Sequence, residues 1–362
     1  MAFNLENLIR DVFEPLENER VLILVDQPHD AIADHAVWEE RRRMAEEWLI
    51  GFKASGCFVD PILYFPSTGA NNADLPDRGT QAQQPVKISE AFKKADIAVA
   101  MTEFSATAPL AAAARQRPGK LRVASMPGVM RSMENTALSE DYCVLRKRVH
   151  ALAVRLDQAV SAETVFSTGH RVVFDLRYRH AMEDNGHCPP NTEKPLINLP
   201  SGEAFIVPYE GEHSGEPSHT EGEIPVGHDK GLCVLSIQGN RITDISGDPP
   251  AVQHFQAVFN VDAARRNVAE LGLGCNRKAV VSGSLLEDEK AGMHWAYGRS
   301  EHLGGITGPD VFTCPEHVTH MDIVYTHDCP VGVARLTLRY PEGFEEIIMQ
   351  DNVYTIFDTG VA

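Results

Sequence analysis

The first half of the chain alternates short apolar runs with stretches of helical periodicity, which predicts strands and helices in turn. Arg20-Val21-Leu22-Ile23-Leu24-Val25-Asp26 is apolar almost throughout, as a strand covered on both faces would be. Ala36 to Phe52 follows with Trp38, Met44, Trp48 and Leu49 at helical spacing, and then comes an apolar strand from Phe58 to Phe65. A second set repeats the scheme. Ile88 to Lys94 reads as a helix, Ala95 to Met101 as a strand, Leu110 to Arg115 as a helix opened by Pro109, and Leu121 to Met126 as a strand stopped by Pro127-Gly128. Asp141 to Ala162 carries the longest amphipathic pattern, and the polar stretch Thr68 to Pro85 reads as a long loop. Strands alternating with helices predict an α/β domain with a largely parallel sheet.

Beyond about residue 163 the pattern changes. The apolar runs become short, rich in β-branched residues, and separated by Gly and Pro. Strands are expected at Thr164–Ser167, Arg171–Asp175, Ala204–Val207, Cys233–Ile237 and Val333–Leu338, with a hairpin turn at Gln238-Gly239-Asn240-Arg241 and one helix at about Pro250 to Glu270. The expected organisation is therefore an α/β domain over 1–165 and a β-rich, metal-binding catalytic domain over 166–362.

Composition narrows the functional classes. A formal charge of −18 argues against nucleic acid and anionic membranes, whose affinity depends on Lys and Arg neutralising phosphates. No run of eighteen apolar residues occurs, and the N-terminus lacks the basic-then-apolar pattern of a secretory signal. Seven cysteines, an odd number without a CxxC pair, read as reduced thiols, so a cytoplasmic location is expected. No strand is followed by a glycine-rich phosphate fingerprint, which leaves a nucleotide cofactor unsupported.

The candidate chemistry lies in four clusters of the second half. In His320-Met321-Asp322, residues two apart on a strand point to one face about 6.6–6.8 Å apart along it, so an imidazole and a carboxylate can converge on one ion. His294 is embedded in an apolar strand behind the charged run Glu287-Asp288-Glu289-Lys290. Glu203 heads the apolar run after Pro200-Ser201-Gly202, where a buried carboxylate implies a partner. Glu270 opens a turn punctuated by Gly272 and Gly274.

Taken in order, these clusters resemble the aminopeptidase T family of metallopeptidases, whose two-metal site is built from glutamates, histidines and an aspartate. Glu203 matches that family's first glutamate, Glu270 its second, and Glu289, five residues ahead of His294, its catalytic-type glutamate. His294 in His-Trp-Ala-Tyr-Gly matches the His-x-Ala-x-Gly histidine, and His320 with Asp322 the terminal His-x-Asp pair. The resemblance implies Glu203, Glu270, His294, His320 and Asp322 as ligands to a divalent metal, Zn, Co or Mn. It further implies Glu289 as general base, a small-molecule or short peptide substrate, and a homodimer. One position departs from it: where the peptidase pattern has a Tyr seven residues after the strand His, this chain has Glu301, with His302 beside it.

The chain also resembles the 2,5-dihydroxypyridine ring-cleaving dioxygenases, which hold one iron with two His and one Asp. That pattern has a His where this chain has Glu270, and no glutamate at Glu203. A carboxylate-rich set suits hard or borderline divalent ions, so a metal-dependent hydrolase is the first expectation and an iron dioxygenase the alternative.

Overall fold

The computed structural model describes residues 3–357 and has mixed α/β architecture, with one sheet containing the parallel strands and two antiparallel sheets. Two compact units can be distinguished. The described residues of Met1–Lys147 join Asp184–Gly202 and Asn276–Lys290 in the first; Arg148–Glu183, Glu203–Cys275 and the described residues of Ala291–Ala362 form the second.

The sheet of the first unit runs Leu196–Asn198, Arg122–Ser125, Ile97–Met101, Arg20–Gln27, Leu63–Pro66, Arg78–Gln81, Gln84–Lys87, with Phe58–Val59 pairing the start of Arg20–Gln27. Its strands are parallel from Leu196–Asn198 to Leu63–Pro66. Their near-continuous apolar character follows from burial on both faces: Val21 through Val25 and Ile97 through Met101 are all buried. Leu22, Leu24, Leu63, Phe65, Ala98 and Val123 share one core with Ile88, Phe92 and Leu110 of the flanking helices. The stretch expected as a loop between Thr68 and Pro85 instead contributes antiparallel pairing at the sheet edge, Arg78–Gln81 on Leu63–Pro66 and on Gln84–Lys87. These short strands have no apolar alternation, which is why their sequence reads as loop. The apolar run Phe58–Phe65 is likewise two strands, interrupted at Asp60-Pro61. The longest helix is Ala36–Ala54 rather than Tyr142–Gln158.

Two antiparallel sheets make up most of the second unit. One has eight strands, in the order Arg241–Gly247, Gly231–Gln238, Glu221–His228, Arg171–Asp175, Ser161–Phe166, Val333–Arg339, Glu345–Gln350, Val353–Tyr354. The expected hairpin is present: Gly239 and Asn240 both have positive φ, 57° and 65°, the geometry of a type I′ connection. The other sheet has five strands, Met182–Asp184, Glu203–Ile206, Val268–Gly274, Met293–Gly298, His320–Tyr325, and carries the candidate site. The expected helix is shorter than its sequence pattern, Pro249–Asn260, so Glu270 lies within a strand and not at a helix end. Among the described residues no helix is long and apolar enough to cross a membrane.

Candidate metal centre

Registry across the five-stranded sheet places chemistry on one face and core on the other. Met293–Gly298 pairs with His320–Tyr325 so that Ala296 faces Asp322 and Gly298 faces His320, while on the other side Gly272 faces His294 and Ala296 faces Glu270. Glu203 pairs with Gly274 on the next strand. Each charged residue on this face therefore has a glycine or alanine as cross-strand neighbour, which leaves room for the long side chains to lean together. On the opposite face, Trp295, Tyr297, Leu271 and Leu273 are buried.

A register shift between Val268 and Glu270 sets this division. Val268 pairs with Tyr297, on the core face, yet Glu270 pairs with Ala296, on the site face. In an unbroken strand residues two apart would share a face; the extra residue at Ala269 reverses the parity and turns the Glu270 carboxylate into the site.

The side chains converge. Ligand atoms of Glu203, Glu270 and His294 lie within 4.8 Å of one another, and so do those of Glu270, His320 and Asp322. Glu270 belongs to both groups: Oε1 is 3.6 Å from His294 Nε2 and Oε2 is 3.0 Å from His320 Nε2. His294 Nε2 is also 3.1 Å from Glu203 Oε2, and His320 Nε2 is 3.4 Å from Asp322 Oδ1. All five residues that the sequence assigns as ligands are thus brought together, all within the second unit.

Both rings are oriented from behind. His320 Nδ1 is 2.7 Å from the Arg299 carbonyl and His294 Nδ1 is 3.2 Å from the Gly292 carbonyl, so each Nδ1–H donates to backbone and each Nε2 is presented to the carboxylates. This is how a ligating imidazole is usually held. His294 Nε2 and Asp322 Oδ1 are buried without a well-aligned hydrogen bond, although each has an oppositely charged atom nearby. Two imidazole nitrogens and several carboxylate oxygens gathered this closely could hold a divalent ion.

Burial and charge oppose each other within the cluster. Burial alone would lower the His294 and His320 pKa values, but the carboxylates reverse this and hold both well above the ordinary value: Glu203 and Glu270 for the first, Asp322 and Glu270 for the second. Burial would raise that of Glu270, and the two imidazoles outweigh it, keeping the carboxyl below its usual range.

The remaining sequence candidates are not among the residues of these two ligand groups. Glu289 is on the helix Leu285–Ala291 and belongs to the first unit, where its Oε1 is 2.6 Å from Lys290 Nζ; Lys290 is fully buried and also lies 2.9 Å from Asp184. Glu301 is exposed on the turn Glu301–Leu303 and accepts from Arg299, Nη2 to Oε2 at 2.7 Å. His302 stands edge-on to His320, ring centroids 5.1 Å apart. Tyr325 is structural, accepting from Trp295 Nε1 and donating to the Pro225 carbonyl, and Tyr297 packs edge-on against Phe259. Arg299 contributes to the centre through its backbone carbonyl, which accepts from His320 Nδ1 and which no side-chain pattern announces.

No protein-family model matches the chain, and no curated protein matches it in sequence. Solved structures do. The 2,5-dihydroxypyridine dioxygenase of Pseudomonas putida matches at a TM-score of 0.67 and 15% identity, over 98% of this chain and 96% of that one. Wild-type AmpT, an aminopeptidase T, from Thermus thermophilus matches at 0.58 and 13% identity, over 97% and 98%. Both resemblances read from the sequence are therefore supported, and over the full length of both proteins the fold is shared.

Proposed function

We propose that this chain is a metal-dependent hydrolase that acts on an amide or a related small substrate through two divalent ions. The observation that carries the reading is Glu270, which offers one carboxylate oxygen to each of two ligand groups. On one side Glu203 and His294 would complete the set, on the other His320 and Asp322. Bound there, the ions would supply Lewis acidity, lowering the pKa of water and polarising the bond under attack.

The chain's own groups have separate tasks in this reading. Gly292 and Arg299 carbonyls fix the imidazole tautomers, and the carboxylates of Glu203 and Asp322 set the charge of each half. By the aminopeptidase T resemblance, Glu289 would take the proton from water and pass it to the leaving group. The cytoplasm, a homodimer, and a small-molecule or short peptide substrate are proposed on the same resemblance and on the reduced cysteines.

A second reading, a ring-cleaving dioxygenase with one ferrous ion, is favoured by the higher TM-score of the dioxygenase match and by the presence of two histidines and one aspartate in the cluster. The donor set weighs the other way, since two further glutamates are more than a two-His, one-carboxylate iron site uses. Metal analysis of chain loaded separately with Zn²⁺, Co²⁺, Mn²⁺ and Fe²⁺, followed by a screen of dipeptides, arylamides and hydroxylated pyridines, decides between them. Two ions per chain with amide hydrolysis supports the hydrolase. One iron with oxygen-dependent ring cleavage replaces it with the dioxygenase, and binding of neither sinks both.

A further inference from the structure

Glu210 is a heavily bonded carboxylate of the second unit that the site itself does not use. Its side chain is 3% exposed. Oε1 accepts from Asn267 Nδ2 at 2.8 Å, Ser300 Oγ at 2.8 Å and Thr307 Oγ1 at 2.7 Å; Oε2 accepts from the Ile306 N–H at 2.5 Å and from Arg179 Nη2 at 3.3 Å. Five donors on one carboxylate draw together the loop Ser300–Thr307, the residue preceding the strand Val268–Gly274, and the segment holding Arg179.

Gly305 shows that the loop is built to close on this group. A Cβ there would meet Ser300 Oγ at 2.2 Å and Glu210 Oε2 at 2.6 Å, so only glycine lets the backbone pass over the carboxylate. Ser300 N–H and Glu301 N–H both donate to the Thr307 carbonyl, and Gly305 N–H donates to that of Ser300, which makes the loop a rigid knot around Glu210. Asn267 extends the connection: its Nδ2 also donates to the Gly298 carbonyl, and Gly298 N–H donates back to Asn267 O.

The backbone held between those two anchors is Gly298-Arg299-Ser300, and the Arg299 carbonyl in its middle accepts from His320 Nδ1. We propose that Glu210 is a positioning residue: it fixes the Arg299 carbonyl, and through it the orientation of His320, and so governs the half of the centre made by Glu270, His320 and Asp322. The role reaches His302 too, since that residue rides on the same loop edge-on to His320. His294 is backed by a different carbonyl, Gly292, and lies outside Glu210's reach. The consequence for metal binding rests on the two-ion reading above; the consequence for the His320 ring does not.

The test therefore has two arms, run on the full chain with Glu210→Gln, Glu210→Ala and the milder Ser300→Ala and Thr307→Val. In the metal-free protein, nitrogen-labelled histidine NMR follows exchange of the His320 and His294 Nδ1 protons. Exchange at His320 is expected to rise about tenfold or more in the Glu210 variants, less in the milder ones, with His294 unchanged. In the second arm, Co²⁺ titration against a competing chelator is expected to show one of two affinities falling by about 10- to 100-fold, the usual effect of removing a partner behind a ligand. Unchanged His320 exchange, or equal effects on both histidines in folded variants, overturns the positioning role. If the Glu210 variants fail to fold, the Ser300 and Thr307 variants decide by the same criteria. Selective loosening of His320 in a wild-type chain that binds no Co²⁺ would uphold the positioning of the ring while removing the two-ion reading.

Discussion

The ring of His294 lies over Gly272, so closely that a Cβ on that glycine would sit 1.9 Å from Nε2. The two residues are cross-strand partners, and the glycine's φ is not the left-handed kind, so space and not backbone freedom explains it. Gly272→Ala is expected to push the imidazole off Glu203 and Glu270, cutting metal affinity of that half by at least about tenfold and destabilising the metal-free fold by roughly 1–3 kcal/mol, as overpacking of a buried site does. Chelator competition and thermal melting measure the two effects. A variant that binds and melts like the wild type would show that the ring has another place to go.

Ligand removal separates the two halves. His320→Ala and Asp322→Ala are expected to abolish activity and remove one ion, leaving the ladder of the strand His320–Tyr325 in place because its backbone bonds do not involve these side chains. His294→Ala removes the fully buried member, which Glu203 and Glu270 approach at 3.1 and 3.6 Å; the metal-free fold is expected to lose more stability than with His320→Ala at its partly exposed site. Metal content by emission spectroscopy and denaturant melts check both. Equal metal content in mutant and wild type would remove the residue from the ligand set.

The α/β class was legible in the alternation of strands and helices, and Glu203, Glu270, His294, His320 and Asp322 could be named as candidates from residue type and order alone; the structure brings their side chains together. The strand around Glu270 read as a turn, since the glycines that follow suggest one; in the structure both are buried strand positions, and Gly272 leaves room for the His294 ring. The bulge at Ala269 that aims Glu270 leaves no mark in composition. Nor does interleaving of the two units, because linear patterning cannot show that Leu196–Asn198 pairs with Arg122–Ser125. Glu210 was invisible for a similar reason: its five donors come from three separate stretches of the chain.

Metal uptake should release protons. His294 and His320 have raised pKa values in the metal-free protein, so their stabilising effect is complete below about pH 6.5, the unfolded value, and is lost as pH rises through the folded ones. Glu270 has a lowered pKa, so its contribution is present above about pH 4.3 and lost as pH falls through its folded value. The cluster thus stabilises the metal-free chain most between about pH 4.3 and 6.5. An ion must displace the imidazole protons, so affinity is expected to climb with pH and up to about two protons to leave per chain at neutral pH. Calorimetry in buffers of different ionisation enthalpy counts them. No proton release at pH 7 would mean that the histidines are neutral before the metal arrives.

Substrate preference turns on Glu301, which stands where the peptidase pattern has a tyrosine. A phenol there can donate to the charge that develops on a tetrahedral intermediate, and loss of a comparable donor costs roughly 2.7–4 kcal/mol, about 10²–10³ in rate. Glu301 has no proton to give when ionised, its charge would oppose an oxyanion, and its carboxylate is already engaged by Arg299 through Nη2 at 2.7 Å and Nε at 3.2 Å. That ion pair is half exposed and worth no more than about 0–1 kcal/mol, so replacing the glutamate should leave the fold intact. The metal-loaded chain is expected to hydrolyse leucyl amides and arylamides weakly or not at all, and Glu301→Tyr is expected to raise that hydrolysis while Glu301→Gln does not. Steady-state rates on leucyl p-nitroanilide for the three proteins, each at full metal occupancy, make the comparison. Efficient turnover by the unmodified chain would show that the oxyanion finds its donor elsewhere and that position 301 does not set the chemistry.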